Sequence, residues 1–144
     1  MAAEIKTLTI DDFDDILRVW ADAGLPIKLH GRESREQLAR ELAASHVAAF
    51  GLYENHRMVA VGLANWDGRR GWVNRVAVDP DCRGRGLAGL IIRECEAFLR
   101  EQGAHVITAL IEEVNYPSIA CFQKEGFDCI DNILYFAKYD SPDS

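Results

Sequence analysis

The sequence predicts a mixed α/β fold in the order βααβββαβαββ, a single mixed sheet with helices on both faces. Three observations carry that reading. Apolar, β-rich runs at residues 47–53, 58–65 and 72–78 are separated by short turn segments, as in an antiparallel meander. A glycine-rich turn follows, and then Leu90, Ile91, Ile92, Cys95, Phe98 and Leu99 recur at helical spacing. The run at 105–111 comes after that helix, so its strand should lie parallel to 72–78.

Each element has a local reason. Residues 4–8 alternate and read as a first strand. Thr9 or Asp11 can cap the next helix, whose apolar face is Phe13, Ile16, Leu17 and Trp20 and whose stop is Gly24. Residues 25–33 contain Pro26 and Gly31 and read as a loop. Ser34 with Gln37 three positions later is a capping box for a second helix reaching Ala44. Asp67-Gly68 turns the second meander strand into the third. Gly103 stops the long helix. Asn115-Tyr116-Pro117-Ser118 opens a short helix that Gly126 ends. Residues 127–130 and 133–138 flank Asp131-Asn132 as a closing hairpin, and 139–144 reads as a frayed tail of one domain spanning 1–144.

Composition narrows the function. With 144 residues, 49% of them hydrophobic, the chain is expected to build one core. Its net charge of −7, from 23 acids against 16 bases, shows no basic stripe for nucleic acid. No apolar run approaches the ~20 residues of a membrane span, and the N-terminal stretch lacks the pattern of a secretion signal. Cys82, Cys95, Cys121 and Cys129 show no C-x-x-C pair. They read as free thiols of a reducing, cytoplasmic compartment, and their spacing with the four histidines supports no metal site.

The chemistry concentrates in residues 74–89, NRVAVDPDCRGRGLAG. Val76 and Val78 close a strand, Asp79-Pro80 ends it, and Arg83-Gly84-Arg85-Gly86-Leu87-Ala88-Gly89 leads into a helix N-terminus. That end of a helix carries unpaired N–H groups and partial positive charge. Small residues let an anion approach the backbone, and arginines share phosphate oxygens. The pattern G-x-x-x-x-G-K-[ST] is absent. The Gly84, Gly86, Gly89 spacing matches G-x-G-x-x-G, but without a ribose-binding acid in a βαβ setting.

The stretch resembles the acetyl-CoA pyrophosphate loop of the GCN5-related N-acetyltransferases, Q/R-x-x-G-x-G/A, here Arg83, Gly86 and Ala88 after Ala77-Val78-Asp79-Pro80. A second family signature, an asparagine and then Y-x-K-x-G-F, reads here as Asn115 and Phe122-Gln123-Lys124-Glu125-Gly126-Phe127. The resemblance implies acetyl-CoA as cosubstrate. Its contacts would be Val76, Ala77 and Val78 of the strand, the turn from Arg83 through Gly84, Arg85, Gly86, Leu87 and Ala88 to Gly89, and Asn115 and Phe122. The partner would be a small-molecule or peptide amine. A homodimer is a frequent habit of the family.

Direct transfer from a thioester needs a neutral amine, a donor for the developing oxyanion and a proton for the departing thiolate. The backbone N–H of Val76 suits the second need. The family's usual proton-donating tyrosine falls at Phe122. Trp72 and Leu110 occupy two base positions used by other subfamilies. Tyr116 is the candidate acid here, and Glu112, ahead of Glu113 and His30, the candidate base. Glu112, Glu113 and Asp67 are expected near the cleft, where carboxylates would attract a cationic amine. Phe122 leaves a second reading open, an acyl-CoA-binding module or sensor without turnover. A purely structural domain is the third.

Overall fold

The computed structural model describes residues 3–144; Met1 and Ala2, which begin the stretch read as lacking a secretion signal, lie outside the described residues. Five strands form one sheet in the order β1 (Glu4–Thr7), β2 (Val47–Glu54), β3 (Arg57–Trp66), β4 (Gly71–Val78) and β5 (Ile107–Thr108). The first four are antiparallel neighbours, and β5 runs parallel to β4. Four helices complete the fold: α1 (Phe13–Asp22), α2 (Arg35–Ala43), α3 (Leu87–Gln102) and α4 (Tyr116–Lys124).

The expected signals make these elements. The side chain of Thr9 accepts the Asp11 N–H at 3.2 Å while Asp12 accepts the Thr9 N–H at 2.9 Å, closing a capping box on a 3-10 turn ahead of α1. The Ser34 hydroxyl accepts the Gln37 N–H at 3.1 Å and starts α2. Asn55 and His56, both left-handed, turn β2 into β3, the conformation that matches strand twist in a two-residue hairpin.

The sheet is covered on both faces. Ala48, Phe50 and Leu52 of β2 meet Ile91, Ile92, Cys95 and Leu99 of α3. Ala49 of β2, with Met58, Val61 and Leu63 of β3, meets Ile16, Val19 and Trp20 of α1 and Leu38 of α2. Val19, absent from the face predicted for α1, is fully buried. Each such side chain removed from water contributes about 1.5–3 kcal/mol before chain entropy is counted.

Beyond α3 the outcome departs from the pattern. The strand expected over 105–111 narrows to Ile107–Thr108, because β5 pairs with β4 only at Gly71↔Ile107 and Trp72↔Thr108. The closing hairpin over 127–130 and 133–138 is corrected: Asp131-Asn132 turns, but the flanking residues form no ladder, and residues 128–144 are all exposed. A two-stranded ribbon needs a third strand or a helix to hold it, and a two-residue β5 offers almost no edge. The tail is tethered at its end, where Lys28 Nζ donates to the Pro142 carbonyl at 2.9 Å.

Candidate active site

The short pairing of β4 with β5 creates the site. At its closed end the Gly71 N–H donates to Val106 O, and the Thr108 hydroxyl donates to Gly71 O, both at 2.9 Å. A Cβ on Gly71 would lie 2.8 Å from Leu99 Cδ1, so only glycine lets α3 press against this junction. Further along, the chains part around a cavity of about 510 Å³, within the size range of small-molecule sites. One wall is Val76, Ala77 and Val78. Glu112 and Asn115 stand opposite, with Phe122 and Cys121 of α4. Gly84, Gly86, Leu87 and Ala88 close one end, and Ala23 and Leu25 lie on the α1 side.

The turn into α3 has the geometry of an anion cradle. Gly84 and Gly86 adopt φ of +79° and +77°, and space is open where their side chains would stand. Gly86 is the N-cap of α3 and supplies no side-chain cap, leaving the first N–H groups of the helix facing outward. Asp79 fixes the approach to this turn. Its carboxylate accepts the Asp81 N–H and an Arg57 N–H, both at 3.0 Å, and its own N–H donates to Val59 O at 2.8 Å. The Asp81 N–H, and after it the Arg57 guanidinium, holds the Asp79 carboxyl below the usual carboxylate range.

The two arginines of the turn differ. Arg85 forms a two-pronged pair with Glu54 of β2, Nη1 to Oε1 at 2.8 Å and Nη2 to Oε2. Arg83 is exposed. The sequence signals no cross-strand partner for Arg85, because Glu54 lies far away in the chain.

The predicted acid and base candidates are sorted by the fold. Glu112 reaches the cavity; Glu113, Asp67 and Tyr116 do not line it. Asp67 is spent on the β3–β4 turn, at the opposite end of the sheet, where it accepts the Arg69 and Arg70 N–H groups at 2.7 Å and the Trp72 indole N–H at 2.9 Å. The Arg70 N–H leads in pulling its carboxyl down to about 2. Tyr116 is 72% exposed. Phe122 is 6% exposed and packs edge-on against Phe127 at 5.0 Å between ring centroids. Asn115 caps α4 by accepting the Ser118 N–H at 3.3 Å and also lines the cavity. His30 is exposed on the 25–33 loop.

One feature escaped sequence reasoning. Around Gly62 the β3–β4 register slips: Val61 pairs with Ala77 and Leu63 with Asn74, leaving Arg75 and Val76 without a ladder partner. Arg75 takes a φ of +57° there. This bulge turns Val76 toward the cavity and takes it out of the regular ladder.

The acetyltransferase (GNAT) family profile matches residues 11–127. The chain belongs to this family. Membership makes it an acyltransferase of the N-acetyltransferase class. Its relatives include an acetyltransferase of Yersinia pestis, 26% identical over 131 residues, covering 91% of this chain and 92% of that protein. A PaiA N-acetyltransferase from Thermoplasma acidophilum, solved with coenzyme A, superposes with a TM-score of 0.78 at 16% identity, covering 89% of this chain and 91% of that one. The aminoglycoside N-acetyltransferase AAC(6')-Iy, solved with a CoA-linked bisubstrate analogue, superposes with a TM-score of 0.79 at 16% identity, covering 96% and 99%. At that identity the superpositions speak for the fold. The mixed α/β class and the GNAT resemblance read from the sequence are thereby borne out.

Proposed function

We propose that this protein transfers an acetyl group from acetyl-CoA directly to a primary amine. The observation that carries the reading is the start of α3. There uncapped N–H groups, two left-handed glycines with open space above them and exposed Arg83 face a cavity between parting strands. Such a helix end favours phosphate, and the solved relatives that hold CoA or a CoA-linked analogue support it as the ligand.

Bound acetyl-CoA would supply the thioester. The N–H groups of Leu87, Ala88 and Gly89, with Arg83, would hold its pyrophosphate, and Arg85 would join them only by releasing or sharing Glu54. Asn115 retains its side-chain NH₂, free to donate to the pantetheine arm. The Val76 N–H, left out of the ladder by the bulge, would face the negative charge that develops on the carbonyl oxygen. Glu112 is the carboxylate that lines the cavity and would accept the amine proton. Phe122 has no proton to give and Tyr116 does not line the cavity, which favours water as the proton source for the thiolate. A thiolate of ordinary basicity needs little such help.

A small or peptidic amine is the acceptor this arrangement supports, and AAC(6')-Iy acts on one such class. The negative net charge argues against nucleic acid; among the described residues no helix is long and apolar enough to cross a membrane. The apolar surface beyond α3 supports a second copy of the chain as partner. Phe122 is the observation favouring the rival reading, a binding module without turnover. Calorimetry with CoA, followed by thiol release from acetyl-CoA over a panel of amines, decides between them. CoA binding without amine-dependent thiol release would favour the module, and no CoA binding would remove both.

A further inference from the structure

Arg75 is an anomaly in β4. A side chain at a φ of +57° is strained relative to glycine, yet an arginine stands there. Its contacts explain what that strain secures. The guanidinium lies over the Trp20 ring, 4.5 Å from the centroid, and the Trp20 indole N–H returns a hydrogen bond to the Arg75 carbonyl at 2.9 Å. Nη2 donates to the Pro26 carbonyl at 2.7 Å and lies 3.8 Å from the Glu33 carboxylate. Glu33 is itself 4% exposed, and the same Oε1 accepts the Lys28 N–H at 2.9 Å. One residue therefore joins α1, the β4 bulge and both ends of the 25–33 loop.

The position of this cluster gives it a role. Val76, next in the chain to Arg75, lines the cavity, and so does Leu25, next to the Pro26 that Arg75 holds. The phosphate turn is built elsewhere, from Asp79, Arg57 and the start of α3. We propose that Arg75, with Glu33 as its buried counter-ion, is a positioning residue for the amine acceptor: it sets the distance between the Leu25 wall and the Val76 wall of the cavity. This inference rests on the acyl-transfer reading for the word acceptor, and on geometry alone for the latch. Glu33, which also pairs with Arg32 Nε at 3.3 Å, offsets part of the charge of the half-buried guanidinium, and the stack on Trp20 fixes its plane. Glycine would accept the bulge conformation with less strain, so selection of arginine there points to the side chain.

Arg75→Gly separates latch from backbone, because glycine keeps the bulge while the guanidinium is lost. Hydrogen exchange should speed by about tenfold or more at the Lys28 and Glu33 amides, the weight of one charge-assisted hydrogen bond, with residues 87–102 unchanged. In steady-state assays with the fastest amine among spermidine, kanamycin and lysine amide, KM for the amine should rise about tenfold while KM for acetyl-CoA stays within about twofold. Glu33→Gln should show the same split more weakly, and Arg75→Lys should restore only part of it. Unchanged exchange in the loop overturns the latch. Amine and acetyl-CoA KM rising together, with faster exchange in α3, overturns the positioning role in favour of general loosening. If the parent binds no CoA in calorimetry, the acyl-transfer reading fails and the acceptor role with it, while the exchange experiment still decides the latch.

Discussion

Leu99 of α3 is fully buried, whereas Phe136, in the segment predicted to pair as a closing strand, is 87% exposed. The same contrast runs through the regions around them. From β1 to α3, every strand but the first has two neighbours, and both sheet faces carry helices. Beyond α3, Leu110, Ile133, Leu134 and Tyr135 are as apolar as the core yet face solvent. Hydrophobicity is similar in the two regions; what differs is the availability of a ladder to pair with. β2 to β4 supply one another with edges. β5 is too short to extend the sheet, because its divergence from β4 is what opens the cavity. The site and the unpaired segment thus have one cause.

Thiol chemistry gives the sharpest contrast between the regions. Burial pushes the Cys95 thiol up to about 12, while Cys129 is exposed beyond α4. A buried thiol held in its protonated form reacts slowly even where reagent can reach it. Labelling of the native protein with an aromatic disulfide should therefore consume Cys129 first and reach Cys95 only on unfolding. Mass spectrometry of the labelled peptides checks this, and equal rates would show that α3 opens readily.

A truncation in each region should differ in cost. Leu99→Ala leaves a cavity against β4 and should destabilise the fold by about 2–5 kcal/mol in urea unfolding. Phe136→Ser should stay within about 0.5 kcal/mol for a monomer. If the second copy proposed above covers this surface, Phe136→Ser should instead lower the mass seen by light scattering.

The turn proposed to hold phosphate sits between the regions and should fail on its own. Gly86→Glu places a carboxylate where an anion is expected, at a left-handed φ that suits glycine. Loss of about 100-fold in CoA affinity is the expected result, equivalent to one or two charge-assisted hydrogen bonds, with unfolding destabilised by no more than the roughly 1–3 kcal/mol that a left-handed φ costs a residue other than glycine. Normal CoA affinity in this variant would move the site elsewhere.

The smallest effects belong to the acid candidates. Tyr116→Phe should change turnover by less than about twofold, because its hydroxyl does not reach the cavity, and Phe122→Tyr should preserve or raise turnover by less than the usual 10²–10⁴-fold of a general acid. A large loss in Tyr116→Phe would mean that α4 moves when ligand binds.

Local chemistry was enough to read much of this protein. Ser34 with Gln37, Asn55-His56, Asp67-Gly68, Gly86 and Gly103 act on neighbours in the chain, so the sequence alone determined where most elements begin and end and where the glycine turn into α3 lies. Family membership was legible for the same reason, since Arg83, Gly86 and Ala88 form one continuous turn. Tertiary structure decided what depends on distant partners. It committed Arg85 to Glu54 and Asp67 to its own turn, brought Glu112 but not Tyr116 to the cavity, and joined Arg75 to Trp20, Pro26 and Glu33. It also decided the end of the chain: residues 127–138 have strand-forming side chains, but a strand exists only where another backbone lies alongside in register, and the parting of β4 and β5 removed that backbone.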